Sequence, residues 1–183
     1  FRLGRLPGPP AGASLLVGID HGAGIGKQAA ALIAVHQVDT LAPRVWVLDC
    51  SVAEGYTTPE QDADAIAEML HRWDLKYEDV AARYRLPKNK TRWINTPRKW
   101  AGSVRHGFRL LNAIMARRDE THGELSHFVV HPRAAAFTGA AQEWSGRMAD
   151  DKKDVLDAVR YACERAVRLG DWSRNLATTA IYA

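Results

Sequence analysis

The feature that most restricts the fold is a trio of apolar runs early in the chain, at 14–20, 28–36 and 44–53, joined by short stretches of turn residues. Gly22, Gly24 and Gly26 fill the first connection, and 39–43, ending on Pro43, form the second. Links this short hold neighbouring strands antiparallel, because a parallel crossover needs about a dozen residues or more. The runs therefore predict a three-strand meander. Thr58, Pro59 and Gln61 then supply an N-cap, a proline at the first helical position and a capping-box glutamine. Ala63, Ile66, Ala67 and Leu70 follow at helical spacing, so a helix should run to about Trp73. Residues 79–84 read as a fourth strand, 103–118 as a second helix, and 127–131 as a short strand stopped by Pro132. A helix over 134–144 and a long one from about 151 to 169 close the chain, the last burying Val155, Val159, Cys163 and Ala166. This order predicts an α/β fold: a mixed sheet, with an antiparallel three-strand meander plus further strands, flanked by helices.

With 183 residues, 46% hydrophobic and 25% charged, the chain can bury one ordinary core, and it shows no internal repeat and no second domain. No apolar run approaches the roughly 20 residues that span a membrane, and no signal-peptide pattern opens the chain, so a soluble domain is expected. Cys50 and Cys163 lack metal-ligand spacing and sit in apolar patterns, as in a reduced cytosolic setting. The chain opens on Phe1 and a Gly/Pro-rich stretch, so 1–13 reads as a linker from a preceding domain, 14–169 as the domain and 170–183 as a tail.

Charge is distributed unevenly. Residues 83–118 carry eleven Lys or Arg and no Asp or Glu, whereas the rest of the chain holds 14 basic against 21 acidic residues. The basic half is the natural surface for a polyanion, and Tyr84, Trp93, Trp100 and Phe108 lie among its charges. Arg85, Lys88, Lys90 and Arg92 are its candidate DNA contacts. The competing reading is a solvated face that balances an acidic remainder. The glycine-rich stretch 22–28 is not a phosphate loop: the Walker pattern would place Gly at His21 and Ser or Thr at Gln28. It reads as a hairpin turn, and no ATP hydrolysis is expected.

Two acidic signatures carry the chemistry. Asp20 ends the first apolar run, in VGIDHG, and Asp154 and Asp157 stand a turn apart at the start of the last helix, in KDVLDAVRYA. Carboxylates so placed can bind hard divalent ions, which prefer oxygen ligands. Read without chemistry, the helix pair would be a solvated polar face near Arg160, and Asp20 a turn-capping residue. Lys152 and Lys153, beside the pair, could neutralise a phosphate although a cation at a helix N-terminus opposes the macrodipole. His21 should face away from Asp20's side of the strand, and His131 reads as a strand-end residue.

The strand-hairpin-strand start on VGIDHG resembles the ribonuclease H-like superfamily. The late segment FVVHPRAAAF…EW…DDKKDVLDAVRYACERA resembles the nuclease domain of large terminase subunits of tailed bacteriophages, whose final helix carries Asp-Ala-x-Arg-Tyr, here Asp157, Ala158, Arg160 and Tyr161. The resemblance spans 14–169. It implies a RuvC-like fold and a Mg²⁺- or Mn²⁺-dependent endonuclease, with two ions expected, that cuts concatemeric double-stranded DNA with little sequence preference. It further implies a separate N-terminal ATPase domain, a small terminase subunit and a portal as partners, no membrane, and the cytoplasm of the infected bacterial host. Asp20 would bridge the ions from the central strand, with Asp154 and Asp157 approaching from the helix.

The family's second acid is missing from its usual place at the end of the strand after the first helix, where Arg85, Leu86 and Pro87 stand. Asp79 is the candidate for that role, with Asp74 and Glu78 just before it and Asp49, on a third strand taken to lie beside the first, as another. Two functions follow: a metal-dependent nuclease, or a DNA-binding or packaging-interaction domain of the same fold with an incomplete site. A lobe of an actin-like ATPase is disfavoured, since its nucleotide-clamping partner lobe would be lacking.

Overall fold

The computed structural model of the protein describes residues 9, 11–20, 28–38, 42–76, 102–116, 118–119, 125–145 and 152–169. Strands β1 (Ser14–Asp20), β2 (Ala29–Val38) and β3 (Ala42–Val52) form the expected antiparallel meander. Helix α1 (Pro59–His71) follows, then α2 (Ser103–Ala116), the two-residue strands β4 (Arg118–Asp119) and β5 (Leu125–Ser126), and β6 (Phe128–Val130). A 3-10 turn at Pro132–Ala134 leads into α3 (Ala135–Glu143), and α4 (Lys153–Leu169) closes the described chain. The architecture is α/β, a four-stranded mixed sheet between helical layers. None of the described helices is long and apolar enough to cross a membrane.

Strand order corrects one expectation. The sheet runs β1-β2-β3-β6, with β6 parallel to β3, so among the described residues β1 ends the order and β2 separates it from β3. The central position falls to β2, whose residues from Ala29 to Ala34 have no exposure at all. The 79–84 strand lies outside the described residues. The second helix ends at Ala116, and Arg118 instead pairs with Ser126 in the small β4–β5 ladder.

Alternation sorts the sheet's side chains into two cores. Leu16, Ala31, Ile33, Val45 and Val47 face α2, α3 and α4, whereas Leu15, Leu32, Ala34, Trp46 and Leu48 face α1. Helix α1 begins as its sequence dictates: the Gln61 amide donates to the Thr58 hydroxyl at 3.3 Å, and the Gln61 side chain accepts from the Thr58 amide at 2.9 Å. It buries Ile66, Met69 and Leu70; Ala63, expected inward, is exposed, so the apolar stripe is carried by the larger Met69. Asp74 closes the helix in the left-handed region, at φ 54°, and is exposed.

Helix α4 is buried without interruption from Val155 to Arg160. It lies directly on β1: a Cβ added to Gly18 would stand 1.9 Å from the Ala158 carbonyl oxygen and 3.0 Å from the Ala162 Cβ. Helix α2 meets its other side through Gly107, where a Cβ would stand 2.0 Å from Glu164 Oε1 and 2.6 Å from Arg160 Cδ. Glycine thus lets the β1 backbone touch that of α4, and on α2 it leaves room for the Arg160 and Glu164 side chains between the two helices.

Candidate active site

Asp20 pairs in register with Ala29, a member of the core beneath α4, so its side chain belongs to the α4 face of the sheet. Gly18, on the same face two residues earlier, sets the seam against Ala158 and Ala162. Asp157 and Tyr161 each precede one of those alanines and share one stripe of α4. The Tyr161 phenol registers both acids. Burial raises its pKa, and the negative charges of Asp157 and then Asp20 raise it further, with Arg160 opposing. Strand and helix thus place two of the predicted ligands on one side of the sheet, each near enough to act on Tyr161.

Asp157 is 1% exposed, so it is not part of a solvated polar face. Its Oδ1 accepts from Arg160 Nε at 2.8 Å, and its Oδ2 is ion-paired with the Lys153 ammonium. Arg160 is as buried as its partner, donates from Nη1 to Glu164 Oε1 at 2.6 Å, and lies over the Tyr161 and Phe108 rings, 4.3 and 5.5 Å from their centroids. Burial works against its charge, but the Asp157 and Glu164 carboxylates outweigh that effect and hold its pKa above the ordinary value. The i,i+3 and i,i+4 spacings of this network are visible in the sequence; its enclosure is not, because Arg and Glu at helical spacing ordinarily mark a wet face.

The other predicted residues are placed as follows. Asp154 stands half-buried in the first turn of α4, where a carboxylate complements the helix dipole. Lys152 pairs with Glu143 at the end of α3, so both lysines flanking the acidic pair make ion pairs within the chain. Asp79, Glu78, His21, Arg85, Lys88, Lys90 and Arg92 lie outside the described residues. From the basic segment, α2 displays Arg105 and Arg109 on its exposed side.

Asp49 is turned away from this site. Plain alternation would put it with Val45 and Val47, on the face of Asp20. A bulge intervenes: the β2–β3 register steps from Ile33↔Val47 to Leu32↔Asp49, so Leu48 and Asp49 both face α1. There Asp49 accepts from Arg72 Nε at 2.9 Å, Arg72 Nη2 at 3.1 Å, Trp73 Nε1 at 3.1 Å and the Cys50 amide at 2.9 Å. Trp73 in turn meets His131 edge-on at 4.9 Å and carries the Arg133 guanidinium 5.0 Å from its ring centroid. His131 caps the 3-10 turn, its Nδ1 accepting from the Arg133 amide at 3.2 Å, as a strand-end residue would. This second cluster joins β3, β6 and α1, and its buried carboxylate is fully engaged in doing so.

Among the described residues no group of three or more His, Cys, Asp or Glu side chains is gathered closely enough to hold a metal ion. The carboxylates of Asp20 and Asp157, which share the α4 side of the sheet and both act on Tyr161, are oxygen ligands of the kind hard divalent ions take. A cation already sits against Asp157 Oδ2, in the form of the Lys153 ammonium. The position therefore suits a positive ion both in chemistry and in charge. Comparison of the chain with protein-family models, with curated proteins and with solved structures gives no match.

Proposed function

We propose that this chain is a ribonuclease H-like, RuvC-like nuclease domain of a viral DNA-packaging terminase, a Mg²⁺- or Mn²⁺-dependent endonuclease acting on concatemeric double-stranded DNA with little sequence preference. One observation carries the reading: Asp20, at the end of β1, and Asp157, on α4, act on the same Tyr161 phenol across a seam where helix and strand touch backbone to backbone. Asp20 and Asp157 would hold the metal, with Asp154 a turn away and Asp79 the candidate for the remaining ligand. Bound divalent ions supply an activated water and stabilise the leaving oxyanion in phosphodiester hydrolysis. The chain's own groups do the positioning. Arg160 fixes the rotamer of Asp157, and the rings of Phe108 and Tyr161 hold Arg160 in turn. Exposed Arg105 and Arg109, with the basic residues of 83–101, would track the duplex backbone. An ATPase domain, a small terminase subunit and a portal would be the partners, in the cytoplasm of an infected bacterium.

A second reading, a DNA-binding or packaging-interaction domain without a complete site, is favoured by the engagement of both Asp157 oxygens. Nicking of supercoiled plasmid in Mn²⁺, with and without chelator, separates the two. The nuclease reading expects chelator-sensitive nicking that Asp20→Asn abolishes while the fold is kept. Nicking undiminished in that variant removes Asp20 from the mechanism, and none in the wild type favours the binding domain.

A further inference from the structure

The two cations on Asp157 differ in permanence. Arg160 is 2% exposed, packed against two rings and shared with Glu164, so it cannot leave without stranding the buried Glu164 carboxylate and breaking its bond to Asp157. Lys153 is less enclosed, with a side chain 13% exposed, and its ion pair reaches Asp157 from the opening turn of α4. A positive charge there opposes the helix dipole, so the location itself does not favour a lysine. Its ammonium is a compact charge on a flexible stem, able to swing out where a guanidinium fork would have to break paired bonds. The charge count gives it a reason to be there. Arg160 alone faces two carboxylates, Asp157 and Glu164, and Lys153 brings that buried group to neutrality.

We infer that Lys153 is a placeholder cation: it neutralises and orients Asp157 Oδ2 in the metal-free domain and gives up that oxygen when a divalent ion arrives, while Arg160 keeps Oδ1. The inference rests on the reading of Asp157 as a metal ligand. Metal entry is then an exchange of one cation for another, so the buried carboxylates are never left without a counter-charge. The affinity of the site is correspondingly reduced by the contact that must be broken.

The test is Mn²⁺ binding, followed by the paramagnetic signal of the free ion, together with thermal melting of the 183-residue chain with and without Mn²⁺. Lys153→Met should bind Mn²⁺ about tenfold more tightly, the factor that a charged hydrogen bond of ordinary strength represents. It should also melt lower than wild type without metal and gain more from Mn²⁺. Wild-type binding with unchanged or weaker binding in Lys153→Met overturns the placeholder and leaves the metal reading standing. Absence of Mn²⁺ binding in both overturns the metal reading and the placeholder with it. Should Lys153→Met not fold, the wild type still decides: adding Mg²⁺ should shift the Lys153 ammonium resonance from ion-paired to free. An ammonium signal that stays put while the Asp20 and Asp157 amides respond to Mg²⁺ overturns the exchange.

Discussion

Gly18→Ala tests the seam on which the site depends. The new methyl would stand 1.9 Å from the Ala158 carbonyl oxygen and 2.9 Å from its carbon, both backbone atoms that no rotamer change can move. Ordinary contact begins near 3.4 Å, so helix and strand must part by about 1.5 Å along a line that also meets the Ala162 Cβ at 3.0 Å. Overpacking a well-filled core costs ~1–3 kcal/mol, and a clash with backbone belongs at or above the upper end. For a chain of this size each kcal/mol is about 2–4 °C in melting temperature, so a fall of roughly 6–12 °C is expected. Gly139→Ala is the control: it lies in α3 with open space where its Cβ would go, and alanine's helix propensity should raise stability by up to ~1 kcal/mol. Both are read by circular dichroism melting under one buffer. A Gly18→Ala protein melting within about 1 °C of wild type would mean that α4 does not rest on β1, and the convergence of Asp20 and Asp157 would fall with it.

Asp20→Asn should lower the Tyr161 pKa toward the ordinary phenol value, because removing a nearby negative charge eases ionisation; phenolate absorbance on alkaline titration reads the shift, and an unmoved value would place Asp20 away from Tyr161. Neutralising Lys88, Lys90 and Arg92 together should weaken binding to unrelated duplexes alike and reduce the slope of log affinity against log salt by about 0.9 per lost contact. A constant slope assigns that stretch to solvent or a protein partner. The thiols of Cys50 and Cys163 are pushed up to about 12, burial being the main cause in both, with the Asp49 charge adding to it at Cys50 and Glu164 at Cys163. Their folded values exceed the unfolded value of 9.0, so this stability is complete below pH 9 and lost as pH climbs from there to about 12; denaturant midpoints that hold steady over that window would contradict it.

What the sequence disclosed is what local chemistry decides. The meander, the Thr58–Gln61 box and the long final helix depend on near neighbours and on one period each, and they lie where those signals put them. The partner of β3 does not: β6 pairs with it across a long loop of chain, and periodicity carries no information on which strand sits beside which. Asp49 shows the same limit in a single residue. Alternation assigns it to the α4 face, and only the bulge, anchored by Arg72 and Trp73 at the far end of α1, turns it to the other side. Asp157 was legible as an acid on a helix. Its burial was not, since that depends on tertiary packing, β1 meeting α4 at Ala158 beside it and α2 meeting its partner Arg160 at Gly107.

The alanines of β2 bear on the order of assembly. Ala29, Ala30, Ala31 and Ala34 fit a strand enclosed on both faces, yet alanine has little preference for extended structure, so β2 owes its shape to its neighbours. One of those neighbours, α4, lies far downstream of the meander it covers and is synthesised well after it. The nascent strands therefore lack the layer that makes them a sheet until almost the whole domain has emerged. Asp20 and Asp157 stand at opposite ends of that sequence, so the site they share comes into being only with the completed domain and never on a fragment of it.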